Sequence, residues 1–444
     1  MAGNVGHISG PIQSFVFLDV EASGLFPIDA MNPLDDPPIP GNQRDLSQIL
    51  LSYIRLTSSN QAPHIMEISL VSATRKAVLS GIRKMDALMN SDEADDRASL
   101  RSRSSSFRIP CNIYSAQIKP KMNQKEWTEY EKGRFLRSVF VYSREDLEDK
   151  NDFATEWKGL KLFLEQTRKP VCIIAHNGLR FDFRILYAEF ERSGLLDINP
   201  IPNQVYFVDS YLMFLDLEKK FHDELRAAIQ LLDWGLSAQL NSENPLPSPQ
   251  KMSSCSVGVN SQTHMDIISK SSGSGTLEVE SISVNALKTD SSTVSWKSQD
   301  TTTFVVPVEC STRSGPKRPA RRQLFIHTSD DHPLNFIRTT KWSPAKKKRV
   351  RPNLFKRSGE GDWVFNNHFS IAYFREKGVF KLDSMYKQLL SDDYDAHYAR
   401  DDCEALLKIC ITYGEEFVEY VDTHAADAVK QLLKIINQKK YVNL

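Results

Sequence analysis

The sequence has few cysteines, no long apolar run and no net charge. Its six cysteines in 444 residues lack the paired spacing of a metal-binding motif, and three of them lie in or beside predicted core elements, which favours buried thiols in a reducing compartment over a disulfide framework. No apolar run approaches the length of a membrane-spanning helix, and residues 1–13 lack the apolar stretch of a signal peptide. Basic and acidic residues balance at 56 each, so any attraction to a polyanion must be local. These absences predict a nuclear or cytoplasmic protein without a membrane segment.

Two acids accompany an apolar run near the start of the chain. Residues Phe15 to Leu18 have the composition of a buried strand, and Asp19 and Glu21 come at its C-terminal end. Because side chains alternate along a strand, both carboxylates point to the same face. Two neighbouring acids at a strand end repel each other, and a divalent cation relieves that repulsion. For this motif alone, a solvated strand end is the alternative interpretation.

A second acidic position lies in a strand, turn and helix pattern. Residues Val171 to Ala175 predict another buried strand, which ends in the polar turn at 176–178. Asp182 then falls in the first turn of a helix whose apolar residues recur at helical spacing. The helix dipole favours a carboxylate there, so an ordinary N-terminal helix acid is the alternative.

The third acidic position follows a histidine late in the sequence. An apolar stripe with spacings of four, three and four residues runs from Ala399 to Cys410 and predicts a helix. Asp402 borders the buried face of that helix. His397 precedes Asp402 by five residues, which places it on the loop before the helix, free to reach a substrate. A surface histidine and a solvated aspartate are the alternatives for each residue alone.

Taken in order, the three motifs are Asp-x-Glu, Asp and His-x-x-x-x-Asp, each in its expected strand or helix context. This pattern resembles the DEDDh branch of the DEDD exonuclease superfamily. Finer similarity to the three-prime repair exonuclease (TREX) family is found in 18–25, 175–183, 208–210, 382–389 and 397–410. The resemblance covers about half of the chain, in separate pieces. Phe181 stands where the family usually has tyrosine, and Leu179 where an acid is common.

The resemblance implies a fold, a reaction and a substrate. The fold would be α/β, with a ribonuclease-H-like mixed central sheet flanked by helices. The reaction would be metal-dependent 3′-to-5′ exonuclease hydrolysis of DNA to nucleoside 5′-monophosphates, on single-stranded or 3′-recessed ends. RNA trimming or proofreading is the near alternative, because no residue decides whether a 2′-hydroxyl is accepted. A non-catalytic adaptor that binds nucleic acid is the alternative of a different class.

The candidate site residues follow from the motifs and the resemblance together. Two Mg²⁺ ions, for which Mn²⁺ can substitute, would be bound by Asp19, Glu21, Asp182 and Asp402. His397 would be the general base. The expected substrate contacts are Glu21, Ala22, Leu25, Asn177, Arg180, Phe181 and Asp402. A structural salt bridge for Arg180 and a place in the core for Phe181 are equal alternatives. The resemblance also implies a homodimer through the predicted edge strand 112–119.

The domain organisation is one catalytic domain with long insertions that we expect to be disordered. Its first part is 12–240, with mobile insertions at about 27–62 and 78–110, and its second part is 362–428. Between them lies a Ser/Thr-rich and then basic insertion, 241–361, and residues 429–444 form a C-terminal tail.

A basic run near the end of the long insertion suggests a further role. The run Pro344 to Val350 contains Lys346-Lys-Lys-Arg, and basic pairs at 317–318 and 321–322 precede it. Such a run is typical of a nuclear localisation signal or a nucleic-acid tether. A solvated, disordered charge run is the alternative.

Overall fold

A five-stranded mixed sheet forms the centre of the structure. The computed structural model describes residues 10–26, 61–89, 107–136, 142–231 and 331–425. The strands are β1 (Ser14–Ala22), β2 (Ile65–Thr74), β3 (Asn112–Gln117), β4 (Val171–Ala175) and β5 (Val205–Asp209). They lie in the order β3-β2-β1-β4-β5. The β1–β2 and β2–β3 pairs are antiparallel, whereas β1–β4 and β4–β5 are parallel.

The helices before residue 232 connect these strands and cover the sheet. They are α1 (Arg75–Met89), α2 (Gln124–Leu136), α3 (Arg144–Leu147), α4 (Phe153–Gln166), α5 (Asp182–Arg192), α6 (Leu195–Ile198) and α7 (Ser210–Leu231). Strands β4 and β5 are buried along their whole length, which explains their continuous apolar sequences. The ring centroids of Trp157 on α4 and Phe190 on α5 lie 4.5 Å apart, so these helices pack against each other.

The last described range, 331–425, returns to the same core. Its elements are α8 (Pro333–Phe336), α9 (Pro344–Arg349), a 3₁₀ turn (Pro352–Leu354), the hairpin of β6 (Phe355–Arg357) and β7 (Trp363–Phe365), α10 (Asn367–Arg375), α11 (Leu382–Leu390), α12 (Ala399–Thr412) and α13 (Glu415–His424). Helix α12 packs against β1 and β2. Phe417 of α13 meets Phe15 of β1, with ring centroids 5.3 Å apart.

The predicted ribonuclease-H-like α/β fold, a mixed sheet flanked by helices, is confirmed. Helix α12 begins two residues after His397, so this residue lies on the preceding loop as predicted. Strand β1 continues through Ala22, so Asp19 and Glu21 lie within the strand rather than after it.

The predicted mobile insertion 78–110 is wrong for its first part. Residues 78–89 belong to α1, in which Val78, Ile82 and Met85 are buried. Their spacing of four and three residues places them on one helical face. The Ser/Arg-rich composition that follows at 91–106 lies outside the described residues.

The predicted extent of the long insertion is also wrong, because residues 331–361 are folded. The basic run is helix α9, and its Arg349 is 2 % exposed. Arg349 donates through Nε to Glu218 of α7, and its Nη1 lies 2.6 Å from the side-chain oxygen of Gln388. Lys346 is also buried and pairs with Glu224 of α7. The run is therefore not a solvated charge run, because two of its four cations, Lys346 and Arg349, are buried and pair with acids on α7.

Several predictions fall outside the described residues. They are the insertion at 27–60, the Ser/Thr-rich part of the long insertion, the basic pairs at 317–322 and the tail at 429–444. The chain divides into two units, Met1–Asn241 with Ile326–Leu444 and Ser242–Phe325, and every described residue belongs to the first. Within the described ranges, no helix combines the length and the apolarity that crossing a membrane requires.

Candidate metal centre

Strand β1 presents Asp19 and Glu21 on the same face of the sheet. In the antiparallel register with β2, Asp19 lies opposite Ser69 and Glu21 opposite Glu67. Glu21 and Glu67 therefore concentrate negative charge at this point of the β1–β2 ladder. Like charges directly opposite each other destabilise a strand pair. The register becomes irregular immediately afterwards, between Glu21 and Ala22.

Helix α12 brings a third carboxylate to the two on β1. Asp402 lies in the first turn of α12, which packs against β1 and β2. One ligand oxygen from each of Asp19, Glu21 and Asp402 can be chosen so that all three lie within 4.8 Å of one another. We call these three residues the acidic cluster. Asp402 is nearly four hundred residues from Asp19 and Glu21 in sequence, so tertiary folding brings it to the two acids of β1.

Asp182 lies beside the acidic cluster and contacts the backbone of β1. It occupies the first turn of α5 and is 2 % exposed. Its Oδ1 accepts a hydrogen bond from the backbone N–H of Val20, at 3.2 Å, between the two acids of β1. Asp182 is not one of the three residues within 4.8 Å, but its charge acts on Asp19.

Burial and mutual repulsion make these carboxylates hold protons strongly in the absence of a cation. Burial, followed by the charges of Asp182 and Asp402, raises the pKa of Asp19 well above its usual range. Burial and then Asp402 and Glu67 raise the pKa of Glu21 to about 8. Burial also raises the pKa of Asp182, which two backbone hydrogen bonds oppose. A bound divalent cation would oppose each of these pKa shifts, because it favours the charged carboxylate.

The side chain of Asp402 is held by the loop 391–398, which connects α11 to α12. Tyr394 donates its hydroxyl to Oδ1 of Asp402 at 2.6 Å, and the backbone N–H of His397 donates to Oδ2 at 3.0 Å. These bonds oppose the effect of burial, which raises the pKa of Asp402. The His397 side chain is exposed, and its backbone has a φ of 73°. The backbone of His397 thus lies next to the acidic cluster, in direct contact with Asp402.

Three of the predicted substrate contacts, at the end of β1 and in the turn after β4, are accessible at the surface. Ala22 is the last residue of β1 and is half-buried. Leu25 follows it, and its side chain is 60 % exposed, an unusual position for a leucine. Asn177 lies in the turn after β4 with a φ of 61°, in the left-handed region that asparagine tolerates better than most residues. These three residues are accessible to a ligand.

The two predicted contacts with alternative interpretations have partners within the protein. Burial raises the pKa of Asp209 to about 6, and the charge of Arg180 opposes this shift, which agrees with a structural electrostatic role for Arg180. Phe181 is half-buried and packs edge-on against Phe26, with ring centroids 6.2 Å apart. The guanidinium of Arg184 covers the other ring of this pair, 3.7 Å from the centroid of Phe26.

Two residues at the site were not predicted from the sequence. Glu67 is 7 % exposed, and its Oε2 accepts from the hydroxyl of Tyr142 at 2.7 Å and from the N–H of Ala399 at 3.3 Å. It therefore ties β2 to the start of α12. Its signal in the sequence is that it is the one charged residue of a buried strand. Tyr394 has no comparable signal, because it lies in an irregular loop.

The donor set fits a hard cation. The acidic cluster offers only carboxylate oxygens, and no histidine or cysteine belongs to it. Mg²⁺ and Mn²⁺ prefer such oxygen ligands, whereas structural zinc sites are built from cysteine and histidine.

Comparisons with known proteins add little to this geometry. No family model matches the chain, and no curated protein matches it. Among solved structures, one match is the zinc-bound complex of E. coli ExoI with single-stranded DNA, at 10 % identity and a TM-score of 0.24. The match covers 48 % of this chain and 30 % of that one. A likeness this weak supports no functional conclusion, and the TREX resemblance remains a prediction.

Proposed function

We propose that this protein is a metal-dependent 3′-to-5′ exonuclease that hydrolyses DNA to nucleoside 5′-monophosphates. The observation that carries the proposal is the acidic cluster, whose three carboxylates meet within 4.8 Å beside the loop that bears His397. The 3′-end polarity and the preference for DNA rest on the TREX resemblance alone.

The residues of the site have distinct roles in this proposal. Asp19, Glu21 and Asp402 would hold one or two Mg²⁺ ions, with Asp182 beside them. Two bound divalent cations stabilise the attacking and leaving oxygens of a phosphodiester. His397 would take a proton from the attacking water, the role that histidine most often has in general acid–base catalysis. The exposed side chain of Leu25 would pack against the terminal bases of the substrate.

The folded basic run weakens the adaptor alternative and the argument for nuclear localisation. A tether or a localisation signal must be accessible, whereas Lys346 and Arg349 are buried and paired with α7. Nuclear localisation stays a prediction that depends on the basic pairs at 317–318 and 321–322, outside the described residues.

The proposal is tested by incubating labelled single-stranded DNA, 3′-recessed duplex and RNA with the full chain and Mg²⁺. We expect stepwise shortening from the 3′ end, release of 5′-monophosphates and complete inhibition by EDTA. Faster cleavage of RNA would identify the trimming alternative. Binding of nucleic acid without any cleavage in Mg²⁺ or Mn²⁺ would replace the exonuclease with the adaptor.

Variants of two histidines separate the proposed base from an ordinary surface residue. His397→Ala should lower the rate by roughly 10²–10⁴-fold, the usual contribution of a general base. His368→Ala is the matched control, because His368 is an exposed histidine on a different element, α10, and its replacement should leave the rate unchanged. An undiminished rate in His397→Ala would refute the assignment of the base.

We also propose that the protein dimerises through β3. This strand is at one edge of the described sheet, and Ile113 on it is 38 % exposed. Pairing of two copies would satisfy the open edge. Sedimentation that yields only the 50.6 kDa species at micromolar concentration would exclude the dimer.

A further inference from the structure

The carboxylate of Asp402 has both of its oxygens held by the loop 391–398. The hydroxyl of Tyr394 lies 2.6 Å from Oδ1, and the backbone nitrogen of His397 lies 3.0 Å from Oδ2. The backbone N–H of Asp402 in turn donates to the carbonyl of Tyr398 at 3.0 Å. A carboxylate that accepts one hydrogen bond on each oxygen has little rotational freedom, and its remaining lone pairs point in fixed directions.

The same two bonds also hold the loop in a conformation that its own residues disfavour. His397 has a φ of 73°, and Ser391 at the start of the loop has a φ of 57°. Residues other than glycine seldom adopt this left-handed region, so the surrounding contacts must stabilise it. Tyr394 provides the side-chain contact, because it anchors the middle of the loop to Asp402.

Packing against α11, which is in turn bonded to α12, fixes the orientation of the Tyr394 ring. Its ring packs edge-on against Tyr386 of α11, with centroids 4.8 Å apart. Tyr386 is 3 % exposed, and its hydroxyl accepts a hydrogen bond from Nζ of Lys408 on α12 at 3.2 Å. The hydroxyl of Tyr394 is thus directed at Asp402, whereas the hydroxyl of Tyr386 has a different partner.

We propose that Tyr394 is a positioning residue that orients Asp402 towards a divalent cation and fixes the loop bearing His397. The proposal rests on the exonuclease function proposed above, but its two consequences are measurable without cleavage. Removal of a hydrogen-bond partner of a metal ligand typically weakens metal affinity or activity by 10–100-fold. One hydroxyl would therefore affect both the affinity for the cation and the order of the loop.

Two conservative variants test this role in the full-length protein. Tyr394→Phe removes the hydroxyl next to Asp402 and keeps the ring that packs on Tyr386. Tyr386→Phe is the matched control, because it removes a hydroxyl from the same ring pair, whose partner is Lys408 rather than an acid. Mn²⁺ binding followed by electron paramagnetic resonance, and amide hydrogen exchange of residues 395–398, are the readouts.

We expect Tyr394→Phe to weaken Mn²⁺ binding by about 10-fold or more and to speed exchange of the His397 amide. Tyr386→Phe should stay within twofold of the unchanged protein in both measurements. On an Asp402→Asn background, Tyr394→Phe should have no further effect on Mn²⁺ binding, because the group that it orients is already altered. A purely structural tyrosine would instead weaken binding equally on both backgrounds.

The outcomes separate this proposal from the proposed function. Mn²⁺ affinity and His397 exchange that remain within twofold in Tyr394→Phe would overturn the positioning role, even if the protein cleaves DNA. Weakened binding in Tyr394→Phe, in a protein that cleaves no nucleic acid, would support the positioning role and overturn the exonuclease. If Tyr386→Phe weakens Mn²⁺ binding as much as Tyr394→Phe does, the positioning role is also overturned, since a general loosening of the ring pair would then explain the effect.

Discussion

Replacing Glu21 by glutamine should stabilise the metal-free protein at pH 8, although Glu21 is a proposed metal ligand. Burial, then the charges of Asp402 and Glu67, raise the pKa of Glu21 from its ordinary value of 4.5 to about 8. An acid whose pKa is higher in the folded state contributes stability below pH 4.5, and this contribution is lost as the pH rises towards 8. Glutamine has the same shape and cannot ionise.

The magnitude follows from the size of the shift. If Glu21 titrated alone, ionisation would reduce the free energy of unfolding by about 4 kcal/mol at pH 8. Because Glu21 shares its protons with Asp19 and Asp402, we reduce this to about 2 kcal/mol for Glu21→Gln. At pH 5 Glu21 keeps its proton in the folded protein, so the gain in unfolding free energy from Glu21→Gln should fall below about 1 kcal/mol.

Urea denaturation followed by circular dichroism in EDTA, at pH 5 and pH 8, measures both values. Addition of Mg²⁺ at pH 8 should then stabilise the unchanged protein more than the variant, since binding to the folded state alone raises stability. Glu129→Gln, at an exposed position of α2, is the matched control and should have no effect. A Glu21→Gln protein that is less stable at pH 8, or equally shifted at both pH values, would refute the reasoning.

Three further predictions concern the fold that supports the site. Arg349→Met leaves Glu218 buried without its cationic partner, so urea denaturation should give an unfolding free energy lower by about 3–5 kcal/mol, and a loss under about 1 kcal/mol would contradict the buried pair. In Gly178→Ala the new Cβ would lie 2.8 Å from the ring of Phe183. The turn before α5 must then shift, and cleavage in Mg²⁺ should slow by roughly 10-fold or more; an unchanged rate would contradict this. Joining residue 241 to 326 should preserve cleavage of short oligonucleotides, whereas a deletion through 361 removes α9 and should abolish the folded circular-dichroism spectrum.

The acidic cluster could be predicted because each acid lies in a strongly patterned local element. An apolar run precedes Asp19 and an apolar stripe surrounds Asp402, and each pattern indicates within a few residues of sequence which way the acidic side chain faces. The same holds for Asp182, beside the cluster. Glu67 was missed for the opposite reason. Its role depends on its pairing with Glu21 across the strands and on the hydrogen bond that it accepts from the backbone N–H of Ala399. No local pattern in the sequence indicates either contact.

The basic run shows how composition can mislead. Four successive cations are usually solvated, and local periodicity gives no information about acids more than a hundred residues away. Glu218 and Glu224 lie on the face of α7 towards α9, where they make Arg349 and Lys346 interior residues. Helix α1 was missed although Val78, Ile82 and Met85 had helical spacing, because the polar stretch after it dominated the composition.

The late position of α12 in the chain has a consequence for biosynthesis. A nascent polypeptide emerges from the ribosome N-terminus first, so α12 cannot cover its face of β1 and β2 until Thr412 has been synthesised. Until then Asp19 and Glu21 lack their third carboxylate. A chain that ends before α12 therefore cannot assemble the acidic cluster.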